Sequence, residues 1–159
     1  MTPEIADLNE FFVVGIRVIL DSEDRAAEVM GKFLARNPGT AGKSLYGVFG
    51  TIPGDVSAES EYVAGFAAES LEGIPEGMVG WLIPSGKYAL FGVISFAGIV
   101  PVCREAFSAW LPKSGFRLAP SPIYACSADK RPESPEASWK IHIPLEKSGE
   151  LERLREWIK

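Results

Sequence analysis

Apolar positions along the chain recur at two spacings, one suited to strands and the other to helices. From Phe11 to Leu20 the run FFVVGIRVIL is dense in β-branched and aromatic residues and predicts a strand. The DSED that follows offers an N-cap and early acids to a helix over about 23–36, where Ala26, Ala27, Met30, Phe33 and Leu34 share one stripe. Asn37, Pro38 and Gly39 stop it. LYGVFGTI (45–52) and EYVAGFAA (61–68) then read as neighbouring antiparallel strands joined by the polar, turn-rich PGDVSAES.

The same order of elements returns further along. An IPEG turn at 74–77 leads into the strand VGWLIP, and an SGK turn at 85–87 leads into YALFGVISF (88–96). After Gly98, the segment IVPVCREAFSAWL places Val102, Cys103, Ala106, Phe107, Trp110 and Leu111 on one helical face, ended by Pro112 and Gly115. SPIYACSA (121–128) and WKIHIPL (139–145) supply two more strands around a Pro-rich loop. Residues 11–68 and 88–145 thus each read strand, helix, strand, strand. The expectation is an α+β fold in which two pseudo-symmetric β-α-β-β repeats form one antiparallel sheet with two helices packed on one face. A short amphipathic C-terminal helix over about 148–158, with Leu151, Leu154, Trp157 and Ile158 on one side, would cap the sheet or make a homodimer interface.

Composition narrows the function classes. A chain of 159 residues with 47% apolar content can bury one continuous core, so residues 1–159 read as a single domain. A net charge of -5 without any basic run disfavours direct nucleic-acid binding. The N-terminus has no signal-peptide pattern and no apolar run approaches the roughly 20 residues of a membrane helix, so the expected location is cytoplasmic, away from membranes. Cys103 and Cys126 lie in apolar segments without CxxC spacing and read as core thiols. There is no HxH, HxxxH or Cys/His cluster, no GxGxxG or Walker loop and no GxSxG elbow; the expectation is no metal and no cofactor.

Five strings, in order, carry a resemblance: PEIADLNEFFVVGIRV at the start, EYVAGFAAE, IPSGKYALF, the helix-ending AWLPKSGF and WKIHIPLEK. Together they make the chain similar to the GyrI-like effector-binding family, which forms the ligand-sensing module of many AraC-type and MerR-type transcription regulators. The resemblance implies a pocket between two halves, walled by aromatic side chains and suited to bulky hydrophobic, often cationic, compounds. Cation-binding members place a glutamate two residues before the strand position matched by Tyr124, and here Pro122 stands there. A second acid, two residues before an aromatic in the last strand, is replaced by Lys140 ahead of His142. The resemblance therefore implies a pocket-facing His142, and the lysine leads us to expect that anionic or neutral compounds outperform cations.

The candidate ligand-binding residues are Tyr124, His142, Tyr46, Tyr62, Phe66, Trp81, Trp139 and Lys140. Alternation puts Tyr46 with Val48 on one face and Tyr62 with Ala64 and Phe66 on one face, and the small Ala64, Gly65 and Ala67 would leave room beside them. Core packing under the helices is the competing reading for Tyr46 and Tyr62. Tyr124 is the leading candidate, and Tyr124→Ala is expected to abolish binding while leaving the fold intact. The function expected is a stand-alone effector-binding module for a hydrophobic small molecule, serving transcriptional regulation through a partner regulator, or drug sequestration. Two alternatives stay open. One is a hydrolase of strained electrophiles using Glu61 or His142 beside Tyr62 or Tyr124; the other is a gyrase-inhibitor-like protein-interaction module.

Overall fold

The computed structural model of the protein describes residues 2–20, 24–36, 44–50, 60–94, 98–127 and 138–147. Within them the strands are β1 (Glu4–Leu8), β2 (Phe11–Leu20), β3 (Leu45–Phe49), β4 (Ser60–Ala68), β5 (Val79–Ile83), β6 (Gly86–Val93), β7 (Phe116–Leu118), β8 (Ile123–Ser127) and β9 (Trp139–Lys147). Helix α1 spans Asp24–Arg36, α2 spans Ile99–Glu105 and α3 spans Leu111–Ser114. The expected C-terminal helix lies outside the described residues.

All nine strands join one sheet in the order β1-β6-β9-β8-β3-β4-β2-β5, with β7 pairing β9 off that path. Every pairing is antiparallel, and the mixture of this sheet with a few helices is of the α+β kind. Strands β1 and β7 were not anticipated: EIADL is too polar to announce a strand, and FRL is three residues long.

The second helix departs from regular α geometry for a local reason. Pro112 carries no N–H and its ring would crowd the carbonyl four residues back. The chain widens into a π-helical turn over Ala106–Trp110, in which the Leu111 N–H reaches five residues back to the Ala106 carbonyl. Gly115, with φ of 82°, closes α3 in the left-handed conformation that glycine adopts at low cost.

One layer of the core lies between helices and sheet. Met30 and Phe33 from α1, and Ile99, Cys103 and Ala106 from the second helical segment, pack with Leu45, Phe49, Tyr62, Ala64, Ala89, Phe91, Ile123, Ala125, Trp139, Ile141, Ile143 and Leu145. Side chains of Ala26, Ala27 and Leu34 fall outside the described set. The alternate positions of the same strands build a second cluster on the opposite face: Val13, Val48, Val63, Ile83, Tyr88 and Tyr124, flanked by Leu8, Phe11, Tyr46, Trp81 and Leu90.

That second face is concave, and connectivity requires it to be. Strands β5 and β6 stand six places apart in the sheet, which at about 4.8 Å per strand is about 29 Å if the sheet were flat. Only Pro84 and Ser85 separate them in sequence, and three Cα steps of about 3.8 Å span about 11 Å at most. β1 and β2 face the same demand with only Asn9 and Glu10 between them. The sheet must therefore curl. Phe11, three strands from Tyr124, accordingly brings its ring centroid to 5.6 Å from that of Tyr124.

The two-strand contact of β2 with β4 is exceptionally close at one point. Gly15 pairs with Gly65, and a Cβ on Gly15 would sit 2.0 Å from the Ala64 carbonyl oxygen. The room expected beside Gly65 is thus occupied by neighbouring backbone.

Candidate functional site

Inside the curl, rings from β2, β3, β6, β8 and β9 meet. Tyr124 is the hub: its ring is stacked on His142 at 4.3 Å and 10°, and lies 5.7 Å from Tyr88 and 5.9 Å from Tyr46. The ladder dictates the stack, because Tyr124 and His142 are direct cross-strand partners. Phe11 adds a contact to Tyr46 at 5.3 Å, and the Tyr88 hydroxyl donates to the Pro84 carbonyl at 2.7 Å. Tyr124 itself is only 2% exposed, so it is a buried member of the cluster, one ring removed from the surface.

A groove of about 650 Å³ opens beside this cluster, where β6, β8 and β9 reach one end of the sheet. Leu90, Gly92, Val93, Ile94, Cys126, Ser138, Trp139, Lys140 and His142 wall it. In the ladder, His142 lies between Leu90 and Tyr124, and Lys140 lies between Gly92 and Cys126. The two small neighbours of Lys140 keep the lane around its stem open. A second concavity of about 470 Å³ lies elsewhere, walled by Phe49, Gly50, Trp81 and residues 118–123, with Pro122 among them.

Burial sets the protonation of these groups. His142 is held down to about 4 from its ordinary 6.5, chiefly by desolvation and partly by the Lys140 ammonium, against an opposing pull from the backbone carbonyls of Lys140 and Tyr124. Its Nδ1 lies 3.1 Å from the Lys140 carbonyl oxygen; since a carbonyl can only accept, Nδ1 carries the proton of the neutral ring. Desolvation raises the phenols of Tyr124, Tyr46 and Tyr88 above their usual range, and Cys126 adds to the rise at Tyr46. The Cys126 thiol is likewise pushed up by burial, although its hydrogen bond with Tyr46 and the charge of Lys140 work the other way. The cluster consequently presents neutral rings, neutral hydroxyls and a thiol. Of these groups the His142 ring and the Cys126 thiol wall the groove, and neither brings a negative charge to it.

Of the eight expected residues, the structure brings Tyr46, Tyr124, His142 and Lys140 to the concave face. Trp81 is on that face too, but walls the separate 470 Å³ concavity. Tyr62 and Phe66 point the other way, into the layer under α1: Tyr62 packs on Phe49 at 5.0 Å and Phe66 on Phe33 at 6.2 Å. The register explains this, since it is Val63 that pairs with Val48 on the concave face. The Tyr62 hydroxyl lies where a Cβ on Gly47 would be 2.5 Å away, which is why glycine stands at 47. Trp139 is buried in the helix-side layer and reaches the groove only at the strand end. Phe11, Tyr88, Leu90 and Cys126 join the site without having been singled out. Phe11 and Tyr88 open the runs FFVVGIRVIL and YALFGVISF, and the aromatic start of each run was the available signal.

Among the described residues no helix is long and apolar enough to cross a membrane, and no group of three or more His, Cys, Asp or Glu side chains could hold a metal ion.

Comparison with known proteins places these features. The sequence model described as the GyrI-like small molecule binding domain matches residues 1–146. The transcriptional regulator BrlR of Pseudomonas aeruginosa is 32% identical over 114 residues, covering 69% of this chain and 40% of that protein. The chain therefore spans well under half the length of this relative. Among solved structures, SAV2435 bound to tetraphenylphosphonium superposes with a TM-score of 0.61 at 15% identity, covering 92% of this chain and 94% of that one. The EcmrR C-terminal domain superposes with a TM-score of 0.69 at 11% identity, covering 92% and 98%.

Proposed function

The chain belongs to the GyrI-like small-molecule binding domain family, and from that premise we propose that it holds a small, largely apolar molecule in the 650 Å³ groove beside His142. The observation that carries this reading is the meeting of an open groove with a ring cluster whose members are locked against one another. A volume of this size falls in the range of about 300–1,000 Å³ typical of small-molecule sites. Of the clustered rings His142 walls the groove, and its stacking on its cross-strand partner Tyr124 fixes its orientation, so little side-chain entropy is lost on binding.

In this reading the domain is a cytoplasmic effector module, and its occupancy is sensed by a transcription regulator. The similarity to BrlR, a longer transcriptional regulator, supports that assignment, and the tetraphenylphosphonium carried by the SAV2435 structure supports a bulky aromatic occupant. We also read residues 11–68 and 88–145 as two related β-α-β-β units. Exchanging β1 with β5, β2 with β6, β3 with β8 and β4 with β9 reverses the strand order onto itself, which is the arrangement expected of a two-fold relation.

A groove-filling substitution tests the site. A Cβ built on Gly92 meets nothing within 4 Å, so Gly92→Trp can place an indole in the groove without displacing backbone. The neutral dye N-phenyl-1-naphthylamine, followed by fluorescence enhancement, should bind the wild-type chain and lose at least about tenfold in affinity in Gly92→Trp. Equal binding by wild type and variant, with both folded by circular dichroism, would refute the groove as the site.

A further inference from the structure

Among the nine described residues that wall the groove, Lys140 is the one with a cationic side chain, and none of the nine carries a carboxylate. Lys140 is exposed on the strand face it shares with His142, and among the described residues no ion pair engages its ammonium. Its cross-strand neighbours, Gly92 and Cys126, are too small to cover it. Residues two apart on a strand lie about 7 Å apart, which sets the distance from the stem of Lys140 to the His142 ring. Apolar surface from Leu90, Val93, Ile94 and Trp139 borders both. The groove therefore has a cationic end and an apolar body in a fixed order.

We propose that the ligand is a hydrophobic organic anion, an aromatic carboxylate or sulfonate, whose charged group lies against Lys140 and whose rings lie over Leu90, His142 and Trp139. The inference rests on the groove being the ligand site. A neutral His142 fits it, because the ring can lie beneath an aromatic ligand without a second charge. The chain as a whole carries a net charge of -5, so general attraction of anions by the protein works against this selectivity. Beyond roughly 8–10 Å that repulsion is screened at ordinary salt, and the nearby ammonium decides.

A matched pair of dyes separates the charge from the rings. 1-Anilinonaphthalene-8-sulfonate has the ring skeleton of N-phenyl-1-naphthylamine plus one sulfonate. Both are titrated against the wild-type chain, Lys140→Met, Lys140→Glu and Gly92→Trp, in low and high salt, with near-ultraviolet circular dichroism confirming the fold. The expected result is that Lys140→Glu weakens the sulfonate dye by about tenfold and Lys140→Met by about threefold, while the neutral dye changes less than about twofold. The sulfonate preference should also shrink at high salt. If both dyes bind the Lys140 variants as they bind the wild type, yet are lost in Gly92→Trp, the anion assignment is overturned and the groove remains the site. If Gly92→Trp binds both dyes undiminished, or the wild type binds neither, the groove itself fails and the anion assignment with it.

Discussion

Replacing Tyr124 by alanine should damage the fold more than the ligand site. The ring is 2% exposed and touches four others, with centroids at 4.3 Å (His142), 5.6 Å (Phe11), 5.7 Å (Tyr88) and 5.9 Å (Tyr46). Deleting a buried aromatic side chain costs about 3–5 kcal/mol, because the cavity left behind collapses only partly. Here collapse is hindered further, since each neighbouring ring is held by a different strand of the curled sheet. We expect a loss of about 4 kcal/mol in urea unfolding followed by tryptophan fluorescence, and a fall in Tm of about 8–16 °C for a domain of this size. Tyr124→Phe keeps all four ring contacts and should cost less than about 1.5 kcal/mol. A Tyr124→Ala loss below about 1 kcal/mol would refute the interlocked cluster. The expectation that this substitution leaves the fold intact, natural from sequence, does not survive the burial of the ring. Loss of binding in Tyr124→Ala would accordingly not demonstrate a ligand contact, which makes Gly92→Trp the better probe.

Two other outcomes follow from the packing and the electrostatics. His142 titrates near 4 in the folded chain and near 6.5 when unfolded, so below pH 6.5 the unfolded state takes up a proton that the folded state refuses; stability present above pH 6.5 should fall by up to about 3 kcal/mol as the pH approaches 4. His142→Phe keeps an aromatic partner for Tyr124 and should lose less stability between pH 7.5 and 4.5 than the wild type; equal losses in urea unfolding would discredit the buried neutral ring. Gly15→Ala should destabilise by about 3 kcal/mol because its Cβ has no space against Ala64, whereas Gly31→Ala, in α1 with nothing within 4 Å, should stabilise by about 0.5–1 kcal/mol. Both are read in the same unfolding assay, and a Gly15→Ala variant as stable as the wild type would contradict the close approach of β2 and β4.

Sequence periodicity was a good guide to elements and a poor guide to faces. The runs read as strands at 11–20, 45–52, 61–68, 121–128 and 139–145 correspond to the strands at 11–20, 45–49, 60–68, 123–127 and 139–147, with ends that differ by a few residues. Tyr62 and Val63 are both fully buried, however, one under α1 and the other in the curl, so alternation alone could not say which neighbour faces a ligand. That choice is made by register, through the pairing of Val48 with Val63, and register is not a property of either strand read separately. The turn expected at 85–87 falls at Pro84 and Ser85, with Gly86 and Lys87 already in β6, and nothing local showed that it joins strands six places apart. The curl, and with it the arrival of Phe11 at Tyr124, depends on which strands pair across long sequence separations.

The two faces of the sheet solve the same burial problem differently, and the difference locates the groove. On the convex side, α1 and the second helical segment cover the strands and the layer fills with aliphatic and aromatic side chains. On the concave side no described helix intervenes, and the sheet covers itself by curling until rings from five strands meet. Rings meeting at varied angles leave space wherever a position in the ladder is small. Gly92 and Cys126 are such positions, one on each side of Lys140. The size of the opening and the charge beside it are therefore set by three positions outside both buried clusters, while the cluster that holds the curl lies next to them in Tyr124 and His142. Under the proposed function, ligand preference can then change through residues 92, 126 and 140 at small cost in stability, provided the stacked pair of Tyr124 and His142 is kept.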